Sequence, residues 1–292
     1  MSTSEAQIRP LGESLGAELT GFDLSAPLTP ERAEVLRRAF WANPVLVVRG
    51  QELSPEQLVA IGKVFGRLEA HSILHYRHPE HAELSYITNV DKDGNVDSFG
   101  QNKRATDWHS DGSFKEHPDS VAFLYSIAAP SSGGPTEFCN MYAAYETLPE
   151  ALRQRVDGLK AFHKRGEGWR CESPPPPLTE AQKASGEFEG AEHPVVITHP
   201  HSGRRALYIN PSHCVQVVGM ERAASDALLD QLVAHATAER FRYAHSWKVG
   251  DILFWDQRCL LHRAGRGTPA GEKRIMLRGM MVDRLSEERI AA

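Results

Sequence analysis

With 14 histidines and 38 acidic residues in 292 positions, the chain is well supplied with metal-binding side chains, and spacing decides which of them can act together. On an extended strand, side chains two apart point the same way, so His-x-Asp or His-x-Glu aims an imidazole and a carboxylate at one point. Chance would give about two such pairs for this composition, and the sequence holds four: His78/Glu80, His81/Glu83, His109/Asp111 and His117/Asp119. The first two lie in "YRHPEHAE", a proline-broken polar stretch that reads as a solvated loop. The last spans Pro118, which spoils regular strand geometry. Only "DWHSDGSF", Asp107 to Phe114, sits among bulky apolar residues at the start of a strand-rich region. Taken alone, that pair still reads more readily as a surface turn than as a metal site.

A second histidine changes the balance. Iron(II) oxygenases use two histidines and one carboxylate on one face of the metal and leave the other face open. His262 follows the apolar run of "ILFWDQRCLLHRAGRG", where a hydrogen-bonded core histidine is the ordinary reading. Further on, "RIMLR" places Arg274 and Arg278 on the same side of a strand with Met276 between them. Guanidinium groups among isoleucine, methionine and leucine need anionic partners. A dicarboxylate co-substrate would suit the planar fork; salt bridges on a barrel rim are the alternative.

The elements that must position these residues are legible in outline. "LTPERAEVLRRAFWANP" reads as a helix capped by Thr29 with Pro30 in its first turn. "SPEQLVAIGKVFG" opens a second, with Ser54 and Gln57 spaced as a capping box. "VLVV" at 45–48, "LSYITN" and "VAFLYSIA" at 121–128 read as strands. "MYAAYETLPEALRQRVDGL" is helical and broken near Pro149. Residues 165–193, with "SPPPP" and "EGAEH", form a polar, proline-rich loop or lid. "RALYIN" reads as a strand and "MERAASDALLDQLVAHATAER" as a long helix. Three strand-like runs close the chain: "FRYAHSWKVGDILFW", "CLLHRA" and "RIMLRGMMV". Short strands with a few covering helices predict a mainly β fold, an antiparallel barrel or sandwich, in one domain over 1–292.

Composition narrows the function further. A net charge of −5 argues against a nucleic-acid partner. No apolar run approaches the ~20 residues that span a bilayer, and the first residues lack a signal-peptide pattern. Cys139, Cys171, Cys214 and Cys259 form no CxxC pair and read as reduced thiols of a cytoplasmic protein.

At this point the sequence resembles the taurine and 2,4-dichlorophenoxyacetate dioxygenases. The likeness runs through "PLGESLGAELTGFDL", "WHSDGSF", "PSSGGPTEFCNMYAAYETLP", "HPHSGRRALYIN", "WKVGDILFWDQRCLLHR" and "RIMLR". "GGPTEFCNM" and "WDQRCLLHR" look most like the aryloxyalkanoate-cleaving branch. The resemblance implies a double-stranded β-helix (jelly roll) with helices against one sheet. It implies iron(II) held by His109, Asp111 and His262, and 2-oxoglutarate held at its distal carboxylate by Thr136 and Arg274. Arg278 stands where the family meets an anionic substrate group, and His71 matches a pocket histidine of the taurine enzyme. Leu74, Phe114 and Trp108 are candidates for an apolar wall, and Leu74, aligned where taurine enzymes carry a tyrosine, counts against taurine itself. The implied reaction consumes O2 and 2-oxoglutarate, releases succinate and CO2, and hydroxylates a C–H bond of a small carboxylate or sulfonate. Where that carbon bears oxygen or sulfur, C–O or C–S cleavage follows. A homodimer or homotetramer is the implied assembly. A zinc-dependent hydrolase and a non-catalytic jelly-roll binding protein are the rival readings; neither gives Thr136 and Arg274 a purpose.

Overall fold

The first helix, α1 (Pro30–Ala42), begins where Thr29 accepts a hydrogen bond from the Arg32 amide. In α2 (Pro55–Gly62) Ser54 and Gln57 close the capping box, which satisfies amides that a helix start leaves open. The computed structural model describes residues 6–71, 74–91, 93–96, 106–283 and 285. Its strands follow in chain order: β1 (Gln7–Pro10), β2 (Ala17–Thr20), β3 (Val45–Val48), β4 (Arg67–Glu69), β5 (Leu84–Thr88) and β6 (Val121–Ala128). β7 (Thr136–Asn140) leads into α3 (Met141–Glu146) and α4 (Glu150–Val156), which part at Pro149 as expected. Next come β8 (Lys160–His163), α5 (Glu180–Ala184), β9 (Ala191–Pro194), β10 (Val196–Thr198), β11 (Arg205–Leu207), β12 (Cys214–Val217) and α6 (Arg222–Ala236). The chain closes with β13 (Arg242–His245), β14 (Ile252–Asp256), β15 (Leu260–Ala264) and β16 (Ile275–Val282).

One large sheet runs β1-β2-β3-β14-β6-β16-β4, with β5 also paired to β16. Facing it are three smaller sheets, β13-β7-β15, β12-β8-β9 and β10-β11. Side-chain alternation along the central strands builds two cores at once. Leu46, Val48, Ile252, Phe254 and Leu277 point outward into a cluster with Phe40, Leu58 and Ile61 of the two capped helices. Their neighbours Val45, Val47, Leu253, Trp255 and Met276 point inward, to Phe138 and Leu261 of the facing layer. Two opposed sheets with helices on the outer face of one make the jelly roll that the sequence led us to expect.

Three details differ from the linear reading. "FRYAHSWKVGDILFW" is two strands in different sheets, because Asp251 accepts from the Lys248 amide and turns the chain between them. "RALYIN" is a strand only over Arg205–Leu207. The proline-rich stretch is not featureless: it carries α5, enters β9, and is fastened where Asp107 accepts from the Glu172 and Ser173 amides at 2.8 and 2.9 Å.

Candidate metal centre and its cavity

His109 and Asp111 do not share a regular strand. His109 forms an isolated antiparallel bridge with His262 of β15, exchanging amide–carbonyl bonds of 2.9 and 2.7 Å. The chain then turns, and Asp111 swings back toward both imidazoles from within the turn. Gly112 makes this possible: its φ is +68°, and a Cβ there would meet the Asp119 carboxylate at 2.3 Å. The turn is tied down from two sides. Asn210 donates to the Ser110 carbonyl at 2.9 Å and to Ser113 Oγ at 3.0 Å. Gln257, just beyond β14, accepts from the Asp111 amide and donates to Asp111 Oδ2, both at 3.0 Å. The expected convergence therefore holds, but through a cross-sheet bridge and a turn instead of i, i+2 alternation.

The donor set suits a divalent ion. His109 Nε2 lies 3.8 Å from Asp111 Oδ1 and His262 Nε2 lies 3.6 Å from Asp111 Oδ2, separations that a cation with ligand bonds of about 2 Å can bridge. His109 Nδ1 is 2.8 Å from the Asp107 carbonyl. An N–H there would donate to that oxygen and leave Nε2 with its lone pair facing the site. Burial, with His109 close by, lowers His262 to about 3, so its imidazole is neutral at physiological pH. Burial would push Asp111 upward, but His262, Arg278 and His109 outweigh it and hold the carboxyl below its usual range. A neutral imidazole at His262 and a carboxylate at Asp111 are the forms in which such side chains bind metal.

A cavity of about 570 Å³ opens beside His109 and Asp111, within the roughly 300–1,000 Å³ of small-molecule sites. His71, Arg274, Arg278 and Phe114 border it. Arg274 is placed by Asn89, which accepts from its amide at 2.7 Å. Its Nε donates to the Gly134 carbonyl at 3.3 Å, and burial with no compensating anion pulls its pKa down to about 10. Arg278 Nη1 stands 3.9 Å from Asp111 Oδ2, so Arg278 of β16 and Arg274 just before that strand border one space, as their spacing predicts. Thr136 sits behind the cavity wall; its Oγ1 accepts from the Trp247 indole at 3.1 Å, and the Arg274 guanidinium lies 6.0 Å from the same ring. Two candidates for the apolar wall are corrected. Leu74 is 72 % exposed. Trp108 belongs to the interior core, under Arg263 at 4.3 Å, because the bridge at His109 turns its neighbour away from the cavity.

Gln257, Asn210, His213 and Arg165 were not singled out by sequence reasoning. Gln257 and Asn210 lie inside the quoted stretches "WDQRCLLHR" and "RALYIN", but only contacts across the fold reveal what they hold. A second cluster, His199, Asp256 and Cys259, is already satisfied: His199 lies 2.9 Å from Asp256, and Arg258 donates to the same carboxylate at 2.7 and 2.9 Å.

The chain is similar to known proteins over most of its length. The 2,4-dichlorophenoxyacetate dioxygenase of Cupriavidus pinatubonensis, dependent on alpha-ketoglutarate (2-oxoglutarate), is 36% identical over 94% of this chain and 96% of its own length. Pentalenolactone F synthase of Streptomyces arenae is 32% identical over 92% of this chain and 93% of its own. Among solved structures, AAD-2 in complex with Mn(II) and N-oxalylglycine superposes with a TM-score of 0.81 at 29% identity, covering 96% of this chain and 98% of that one. The pattern of the family described as "Taurine catabolism dioxygenase TauD, TfdA family" matches residues 7–281, and the chain belongs to that family.

Proposed function

We propose that His109, Asp111 and His262 hold iron(II), that Arg274 and Thr136 fix the distal carboxylate of 2-oxoglutarate, and that Arg278 and His71 receive the anionic group of the substrate. The enzyme is an iron(II)- and 2-oxoglutarate-dependent dioxygenase of small anionic compounds. O2 is the oxidant: with the metal and co-substrate bound, one of its oxygen atoms would turn a C–H bond into C–OH and the other would enter succinate as 2-oxoglutarate loses CO2. The chain supplies position: Gln257 and Asn210 hold the turn that presents the carboxylate, and the arginines set where two anions lie. The observation that carries the reading is the pair of arginines beside three convergent metal donors, Arg274 with no carboxylate partner among the described residues. Carboxylates of the aryloxyalkanoate kind, with C–O cleavage after hydroxylation, are the substrates we propose first; sulfonates come second. The four cysteines are free thiols, which supports a cytoplasmic setting. No helix of the described residues is long and apolar enough to cross a membrane. A dimer or tetramer is the assembly we propose from the family resemblance, to be read by light scattering.

The test is succinate formation by protein, iron(II), ascorbate and 2-oxoglutarate across a panel of small carboxylates and sulfonates. A substrate-dependent rise is expected, and Arg278→Gln should cost about 2–5 kcal/mol in kcat/KM for the best compound. No rise with any compound would contradict the dioxygenase reading, whereas unchanged kcat/KM in the variant would contradict only the anion anchor.

A further inference from the structure

We propose that the substrate carries a second acidic group, received by Arg165, so that the cavity takes a flat apolar body with an anion at each end. The inference rests on the dioxygenase reading above and extends it to substrate class. Arg278 rises from the large sheet; Arg165 comes from the opposing layer, two residues past the end of β8. Both border the same cavity. The backbone on either side of Arg165 is fixed to one residue: the Lys164 amide donates to the His213 carbonyl at 2.7 Å, and the Gly166 amide to His213 Nδ1 at 3.2 Å. His213 also lines the cavity, so this side chain is aimed, not trailing.

Ion pairing sets it apart from the neighbouring lysines. Lys115, also on the cavity wall, is matched by Asp119 at 3.2 Å and Glu187 at 3.3 Å. Lys164 has Glu167 at 3.1 Å. For Arg165 no carboxylate of the described residues lies within ion-pair distance, and burial lowers its pKa with no offsetting anion. Among the described residues its one polar bond is from Nη1 to the Pro176 carbonyl at 2.8 Å, which leaves most of the donor fork without a partner there. A half-buried guanidinium in that state favours an anionic ligand. Part of the wall is apolar: Phe114 and Phe188 stack at 5.6 Å and 26°, and Pro174 and Pro175 border the same cavity. The Arg165 guanidinium lies 5.9 Å from the Phe188 ring, at the edge of that wall.

The competing role for Arg165 is a strap that holds the proline run through Pro176. Calorimetric titration separates the two. The protein is loaded with Mn(II) and N-oxalylglycine, then titrated with phenoxyacetate and with its 3- and 4-carboxy derivatives. Wild type is expected to bind at least one carboxylated compound about tenfold tighter than phenoxyacetate, the equivalent of one charge-assisted contact. In Arg165→Gln that advantage disappears while phenoxyacetate affinity is unchanged. A wild type that binds none of the compounds, or shows no preference for a carboxylated one, overturns the proposal. So does a preference that survives the substitution, or an equal loss for all compounds, which is the signature of a strap. Mn(II) uptake and succinate formation by the wild type report separately on the dioxygenase reading.

Discussion

Asp111 is held by a neighbour that no metal-ligand spacing reveals. Gln257 engages both the amide and the carboxylate of Asp111, and it is seated between Asp256 and Arg258, whose buried ion pair fixes the chain on either side. Partners of this kind orient a ligand and sharpen its affinity. Gln257→Leu is therefore expected to weaken Mn(II) binding by about 10–100-fold in a calorimetric titration, with Asp111 free to rotate. Unchanged affinity would mean that Asn210 and the His109 bridge suffice. At this scale the sequence showed the donors, because His109, Asp111 and His262 carry their chemistry in their side chains. Gln257 stayed hidden: an amide after a strand has no signature until the fold brings a carboxylate to it.

The site depends on a few turns placed between strands. Gly133 precedes β7 with φ +67°, and a Cβ there would fall 2.0 Å from the Gly267 carbonyl. The two turns so packed carry Gly134 and its carbonyl to Arg274. Gly133→Ala forces a left-handed conformation on a residue that resists it, by about 1–2 kcal/mol, and pushes the second turn away. Lower stability in denaturant and a raised KM for 2-oxoglutarate are expected; a variant that keeps both would show that Arg274 is placed by Asn89 alone. The helices and central strands were readable because caps and apolar periodicity are local properties, as Ser54, Gln57 and "VLVV" show. What was not readable is pairing. Whether "FRYAHSWKVGDILFW" makes one strand or two depends on which sheet each half joins, and the route of His109 to Asp111 depends on a bridge to a residue more than 150 positions away.

Across the molecule, histidines are buried neutral on a scale that should govern acid stability. Burial is the leading cause that lowers His163, His193, His199, His213 and His245, with His213 brought to about 4. Each folded pKa lies below the unfolded value of 6.5, so folding releases a proton in the range between the two. The associated stability is full above pH 6.5 and is lost as pH falls through that range, by about 1.4 kcal/mol per pH unit for each fully shifted group. The melting temperature of the metal-free protein is expected to fall steeply from pH 6.5 toward 4; a flat profile would show that these imidazoles are charged or solvated. The central claim, a single ion held jointly by His109, Asp111 and His262, is tested most directly by titrating metal-free protein with Mn(II). One ion per chain is expected, with binding weakened on the order of 100-fold or more in Asp111→Ala and in His262→Ala, and unaltered in His117→Ala, an exposed histidine of a rival pair. Undiminished binding in either ligand variant would contradict the account.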